Sequence, residues 1–230
     1  MQTLSIDIET YSSVDLTKSG VYAYVNAPDF DILLFAYALG DSPVEIVDLT
    51  TDKLPQQLLK ALTSDGVVKT AYNANFERTC LQKYLQIQLP AEQWRCSAVA
   101  ASELGLPQTL SGVAEALGLT EQKDTRGKNL INYFSKPCKP TEANGGRTRN
   151  LPVHDKEKWQ SFMDYCKQDV EVERAIKKKI ARFPLKDSEQ TLWEYDQTIN
   201  ARGVRIDLTM VQNAITFNQQ FTDSCKAQAQ

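Results

Sequence analysis

The chain has 230 residues, 42% hydrophobic and 24% charged, with five cysteines, one histidine and a formal net charge of −3. That composition suits an ordinary globular protein with room for one large domain, or a domain plus an appendage. It excludes zinc sites built on several histidines and, unless His154 itself serves, a Ser-His or Cys-His catalytic unit; no apolar run approaches the ~20 residues needed to span a bilayer.

Thr3 to Ile8 reads as the first strand. Tyr11 to Pro28 is loop-like, punctuated by Ser12-Ser13, Gly20 and Pro28. Asp31 to Leu39 reads as a buried strand. Val44 to Leu49 is a third, reached through Gly40-Asp41-Ser42-Pro43, a link short enough for an antiparallel pair. Leu54 to Leu62 carries leucines at helical spacing, and Gly66 to Ala71 is a fourth strand. Helices are expected at about Asn75–Leu85, around Cys96–Glu103, at Leu110–Leu117 with Gly118 as its stop, and at Asp124–Phe134. Ser135 to Val153 reads as loop. Asp155 to Arg182 is the longest helix, with Asp155 as N-cap and Lys177-Lys178-Lys179 complementing its C-terminal dipole. This order indicates α/β with a mixed sheet, and no Gly-rich phosphate loop follows the first strand, so it is not a regular dinucleotide-binding fold.

Charge is unevenly spread. Residues 1–120 hold 7 basic and 14 acidic side chains, whereas residues 121–186 hold 16 and 9. An acidic half beside a basic segment suits an enzyme that gathers metal ions and holds a polyanion, and equally a solvated basic helix. An odd cysteine count, with no basic-then-apolar segment after Met1-Gln2-Thr3, points to reduced thiols in a cytoplasm.

The chemistry centres on Ser5-Ile6-Asp7-Ile8-Glu9-Thr10. Leu4, Ile6 and Ile8 alternate with Ser5, Asp7 and Glu9, so the two acids share one strand face. Paired carboxylates repel, and a hard divalent cation between them relieves the cost; a solvated edge strand is the plainer alternative. Downstream stand Asn73-Ala74-Asn75-Phe76-Glu77, just after the fourth strand, and Tyr165-Cys166-Lys167-Gln168-Asp169, whose i,i+4 spacing puts Tyr165 and Asp169 on one helix face.

The three motifs, in this order, resemble those of the DEDD (DnaQ-like) 3′–5′ exonucleases over roughly residues 1–183. The tyrosine of the third motif resembles the DEDDy subgroup, which includes the proofreading domain of family A DNA polymerases. The resemblance implies a ribonuclease H-like fold: a mixed five-stranded sheet flanked by helices. It implies two divalent ions, Mg2+ or Mn2+, with Asp7 bridging both, Glu9 and Asp169 completing the site that activates water, Glu77 serving the second ion, and Tyr165 orienting the attacking water. Glu77 departs from the family, which usually has Asp there; its carboxylate reaches one methylene further. Thr10, Asn73 and Phe76 match family positions near the terminal nucleotide. The implied partner is the 3′ end of single-stranded DNA, and Lys123, Arg126, Lys128, Arg147 and Arg149 could follow its phosphates. His154 reads as a surface loop residue.

The stretch Leu192 to Asp207 resembles the segment that joins exonuclease to polymerase domains in phage-type family A polymerases. It reads as helix, a break at Gly203, a short strand, then helix from about Leu208. The expected division is therefore residues 1–183 as exonuclease and residues 184–230 as connector, in the N-terminal part of a longer polymerase or a truncated form, within a bacterial or phage-infected cytoplasm. Two other readings stay open: a catalytically weakened nucleic-acid-binding module, for which Glu77 speaks, and an RNA-trimming exonuclease.

Overall fold

The computed structural model describes residues 2–120 and 127–229. The chain divides into two compact units, Met1–Glu194 and Tyr195–Gln230.

The first unit is built on a five-stranded sheet. Its strands are β1 (Gln2–Tyr11), β2 (Asp31–Leu39), β3 (Glu45–Asp48), β4 (Val67–Ala71) and β5 (Trp94–Cys96), in the spatial order β3-β2-β1-β4-β5. β1 lies antiparallel to β2 and parallel to β4; β2–β3 is antiparallel and β4–β5 parallel, so the sheet is mixed as expected. Alternation along β1 sends Leu4, Ile6 and Ile8 to one face, where they meet Phe35, Leu58, Leu62 and Leu81. On the other face Leu34, Ala36 and Ala38 of β2 pack against Phe162, Tyr165, Cys166 and Val170. The cross-strand partners Asp7↔Ala36 and Glu9↔Leu34 place both acids on this second face. One extra residue, Leu33, interrupts the ladder where Glu9 pairs with Leu34 but Thr10 with Ile32.

The helices of this unit are α1 (Leu16–Val25), α2 (Gln56–Thr63), α3 (Ala74–Leu85), α4 (Ser97–Glu103), α5 (Leu110–Ala116), α6 (Gly127–Phe134) and α7 (Lys156–Ile180). α8 (Asp187–Arg202) contains the boundary between the units, and α9 (Leu208–Gln228) belongs to the second. Asp155 caps α7 by accepting from Lys158 N, and the buried stripe of α7 includes Phe162, Tyr165, Cys166, Asp169, Val170 and Glu173.

Two expectations need correction, and one strand of the expected five, β5, has no counterpart among the elements located in the sequence. The stretch from Tyr11 to Pro28 is not all loop: β1 continues to Tyr11, and α1 follows, capped by the Asp15 carboxylate on Thr17 N. α1 is two turns joined across Gly20, whose φ of 75° breaks the helical run, which is why no helical period shows there. β5 falls on three residues, too short to alternate visibly, and exists by pairing with β4. In the tail no strand follows Gly203; residues 204–207 are irregular before α9. Asp124, the expected start of α6, lies outside the described residues. The five cysteines form no disulfide, and among the described residues no helix is long and apolar enough to cross a membrane.

Candidate active site

β1 and β4 run parallel, so their C-terminal ends reach the same edge of the sheet. β1 delivers Asp7 and Glu9 there, and the first turn of α3, entered directly from β4, delivers Glu77. α7 crosses the same face and supplies Tyr165 and Asp169 one turn apart. A cavity of about 640 Å³ is lined by Asp7, Glu9, Glu77, Tyr165 and Asp169, and also by Thr10, Asn73 and Phe76. The five candidate catalytic residues and the three expected near the terminal nucleotide therefore line one cavity.

Asp7 is half-buried and Glu9 is 7% exposed. Asp7, Glu9 and Cys166 can each offer one ligand atom within 4.8 Å of the others. The Cys166 thiol donates to Asp7 Oδ2 at 3.4 Å. Burial first, then the charges of Asp7 and Glu9, push its pKa well up, so it is a neutral donor rather than a thiolate ligand.

Glu77 is 5% exposed, and its Oε2 is buried with no hydrogen-bond partner. Burial and then the nearby Asp7 charge push its carboxyl well above the usual range; Glu173 adds a smaller push in the same direction. An orphaned buried carboxylate oxygen beside further carboxylates is costly for the protein alone. The donor set is oxygen-rich and suits a hard cation such as Mg2+ or Mn2+. The residues present thus fit the divalent ions that the sequence resemblance implies.

Tyr165 hydrogen-bonds Asp169. Burial, then the charges of Asp169, Glu9 and Asp7, drive the phenol pKa far upward. It is a neutral donor and no base at neutral pH. The ring is held on two sides. The Phe162 ring lies parallel at 6.3 Å between centroids. The backbone of Gly127 approaches so closely that a β-carbon there would stand 2.6 Å from Tyr165 Cζ.

Thr10 Oγ1 and the Tyr24 hydroxyl are hydrogen-bonded at 2.8 Å. The Phe76 ring is half-buried, 6.1 Å from that of Tyr24, and Asn73 is exposed at the start of α3 with no capping bond. Below the carboxylates, Lys177 Nζ binds Ser5 Oγ at 2.8 Å and Thr70 Oγ1 at 2.5 Å, and pairs with Glu173 at 3.5 Å. This polar network fixes α7 on the sheet one to two turns beyond Asp169.

None of the described residues of the expected basic track lines the cavity. Arg149 pairs with Asp31 at 3.3 Å and lies 3.9 Å over the Tyr11 ring, while Arg147 Nε donates to Asn150 at 2.7 Å and its Nη1 to Asn144 O. Both arginines are thus engaged within the protein. Lys128 is exposed and does not line the cavity; Lys123 and Arg126 lie outside the described residues. His154 is exposed, accepts from Leu151 N, and is not among the lining residues. Sequence reasoning missed Tyr24, Ser135 and Lys136, which line the cavity, and the bond from Cys166 to Asp7. Only Cys166 left a signal, as part of the third motif.

Over all of its 230 residues the chain is 61% identical to a DNA polymerase of Bacillus phage SP02, and it spans 36% of that protein's length. It is therefore homologous to part of a phage DNA polymerase. No protein-family model matches the chain. Among solved structures, NrnC of Brucella melitensis with bound Mg2+ is similar at a TM-score of 0.50 and 12% identity, over 85% of this chain and 82% of that one. The family B DNA polymerase of the hyperthermophilic archaeon Pyrobaculum calidifontis is similar at a TM-score of 0.52 and 18% identity, over 80% of this chain and 25% of that one. At such identities the likeness concerns the fold, which is ribonuclease H-like.

Proposed function

We propose that the chain is a metal-dependent 3′–5′ exonuclease of the DEDDy type that trims single-stranded DNA, proofreading for a DNA polymerase whose further domain follows it in a longer protein. The observation that carries this reading is the convergence of Asp7, Glu9, Glu77, Tyr165 and Asp169, from three separate elements, on one cavity. The phage polymerase relative favours DNA over RNA, and the cytoplasm of an infected bacterium as the place of action. In this reading residues 1–183 carry the nuclease and residues 184–230 connect it onward.

Asp7 would be shared between two divalent ions, Glu9 and Asp169 would complete one site, and Glu77 would serve the other. Bound there, such ions supply charge stabilisation for the phosphoryl oxygens and acidify a water molecule. The protein's own groups do the rest. Tyr165, neutral and bonded to Asp169, holds the attacking water by hydrogen bond and takes no proton from it. Cys166 fixes the rotamer of Asp7. Phe76 and Tyr24 offer aromatic surface for the terminal base or sugar, with Thr10 and Asn73 at its edge.

The test is 5′-labelled single-stranded DNA incubated with Mg2+, Mn2+ or EDTA. A ladder shortened one nucleotide at a time from the 3′ end, present in either metal and absent in EDTA and in Asp7→Ala, is expected. Undiminished cleavage in EDTA or in a folded Asp7→Ala protein sinks the proposal.

A further inference from the structure

A strand that places its scissile phosphate at the carboxylates carries another phosphate one nucleotide upstream. Metal ions at Asp7, Glu9, Glu77 and Asp169 do nothing for that second anion, and the cavity is otherwise acidic. Among the described residues that line it, Lys136 is the only lysine or arginine, and it is exposed. Beside it, Ser135 is 7% exposed, also lines the cavity, and its Oγ is buried with no hydrogen-bond partner. The other lining hydroxyls are engaged. Ser12 Oγ donates to Tyr24 O, Ser13 Oγ to Asp29, Thr17 Oγ1 to Asp15, and Thr10 Oγ1 is bonded to Tyr24. An unused O–H and an ammonium, on consecutive residues that both line the cavity, are the donor types that a phosphodiester oxygen accepts from.

The pair is also firmly seated. Ser135 N donates to Ile131 O at 2.9 Å, continuing the last turn of α6. Phe134, fully buried, stacks on Phe162 at 5.4 Å, and Phe162 stacks on Tyr165, so one aromatic column links Ser135 to the water-holding phenol. Asn150 Nδ2 donates to Tyr133 O at 2.9 Å and is itself held by Arg147.

We infer that Ser135 and Lys136 form a subsite for the first internucleotide phosphate upstream of the scissile one. The inference rests on the nuclease reading above and adds residues to it. The test is binding, read by fluorescence anisotropy in EDTA so that it does not depend on cleavage. The probe is a 5′-labelled hexathymidylate whose linkage at that upstream position is either an ordinary phosphodiester or a neutral methylphosphonate. The wild-type chain should bind the ordinary strand about tenfold tighter, as loss of one charge-assisted contact implies. Lys136→Ala should erase that preference by weakening only the ordinary strand, and should reduce its log-log salt slope by about 0.7. Ser135→Ala should shrink the preference while leaving the melting temperature unchanged. Lys128→Ala should change neither. Equal binding of the two strands by wild type, or equal weakening of both by Lys136→Ala, overturns the subsite. Cleavage of the ordinary strand in Mg2+ is scored separately. Phosphate discrimination without cleavage sinks the enzyme reading and leaves the subsite standing.

Discussion

Glu77 is the residue at which stability and activity pull apart. Its folded-state pKa lies above the unfolded value, because burial and Asp7 both disfavour the charge. A group shifted in that direction stabilises the fold below the ordinary carboxylate range and loses that contribution as pH rises through the folded pKa. The metal-free protein should therefore weaken from acid toward neutral pH. Glu77→Gln cannot ionise, so it should be more stable than wild type in EDTA at pH 7.5, by roughly 1–3 kcal/mol, or ~2–4 °C per kcal/mol in a domain of this size. The two proteins should converge near pH 4, and the metal-induced rise in melting temperature should shrink in the variant. Melting curves with EDTA or Mg2+ across pH 4–8 check this; a variant less stable than wild type at pH 7.5 in EDTA would show that Glu77 is satisfied without metal. The acids themselves were legible because each sits in a short motif whose spacing fixes its face. Lys136 was not: nothing near Ser135-Lys136-Pro137 says that this corner turns toward Asp7, some 130 residues earlier in the chain. The partners of Arg147 and Arg149, Asn150 and Asp31, are likewise known only from the fold.

At the scale of elements, the long or strongly patterned pieces were readable. β2 was placed at Asp31–Leu39 by its apolar run, and α7 by its cap and basic end. Missed were pieces that exist through their neighbours: β5 by pairing with β4, and α1 because Gly20 splits it. α6 matters more than its eight residues suggest, because its first residue abuts the Tyr165 ring. Gly127→Ala should push that ring aside. Overpacking of this kind typically costs 1–3 kcal/mol, and cleavage should fall toward the level of Tyr165→Phe, by up to ~10²-fold. DNA binding should stay within about twofold. The measurement is single-turnover cleavage beside anisotropy binding for Gly127→Ala, Tyr165→Phe and the double variant. If the two losses multiply in the double variant, Gly127 acts on something other than the phenol.

The two units differ in how they are stabilised. The first has buried clusters on both sheet faces. In the second, α9 has no buried residue, and Leu208, Met210, Ile215, Phe217 and Phe221 are exposed. Apolar surface on that scale favours a partner or self-association. Deleting residues 204–230 removes no buried side chain from α9. It should leave the melting temperature within ~2 °C and retain cleavage, while abolishing concentration-dependent association seen by light scattering. A drop beyond about 5 °C would show that α9 supports the first unit. The helix–break–helix rhythm of this tail was legible from Gly203; its lack of burial was not, because sequence alone does not say whether a partner is present.

The aromatic column has a use in the laboratory. It runs from Tyr165 through Phe162 and Phe134 to Trp159, whose ring lies edge-on 4.9 Å from Phe134 and whose Nε1 donates to Asp48 at 2.7 Å. Phe162 alone separates this indole from the Tyr165 ring, which makes it a built-in optical gauge of the cavity. Its emission should respond when Mg2+ or thymidine monophosphate enters the cavity, and Phe134→Leu should uncouple the signal from occupancy without emptying the core. Because Trp94 and Trp193 also emit, the difference between wild type and Phe134→Leu isolates this indole as the site's own label, with no dye attached.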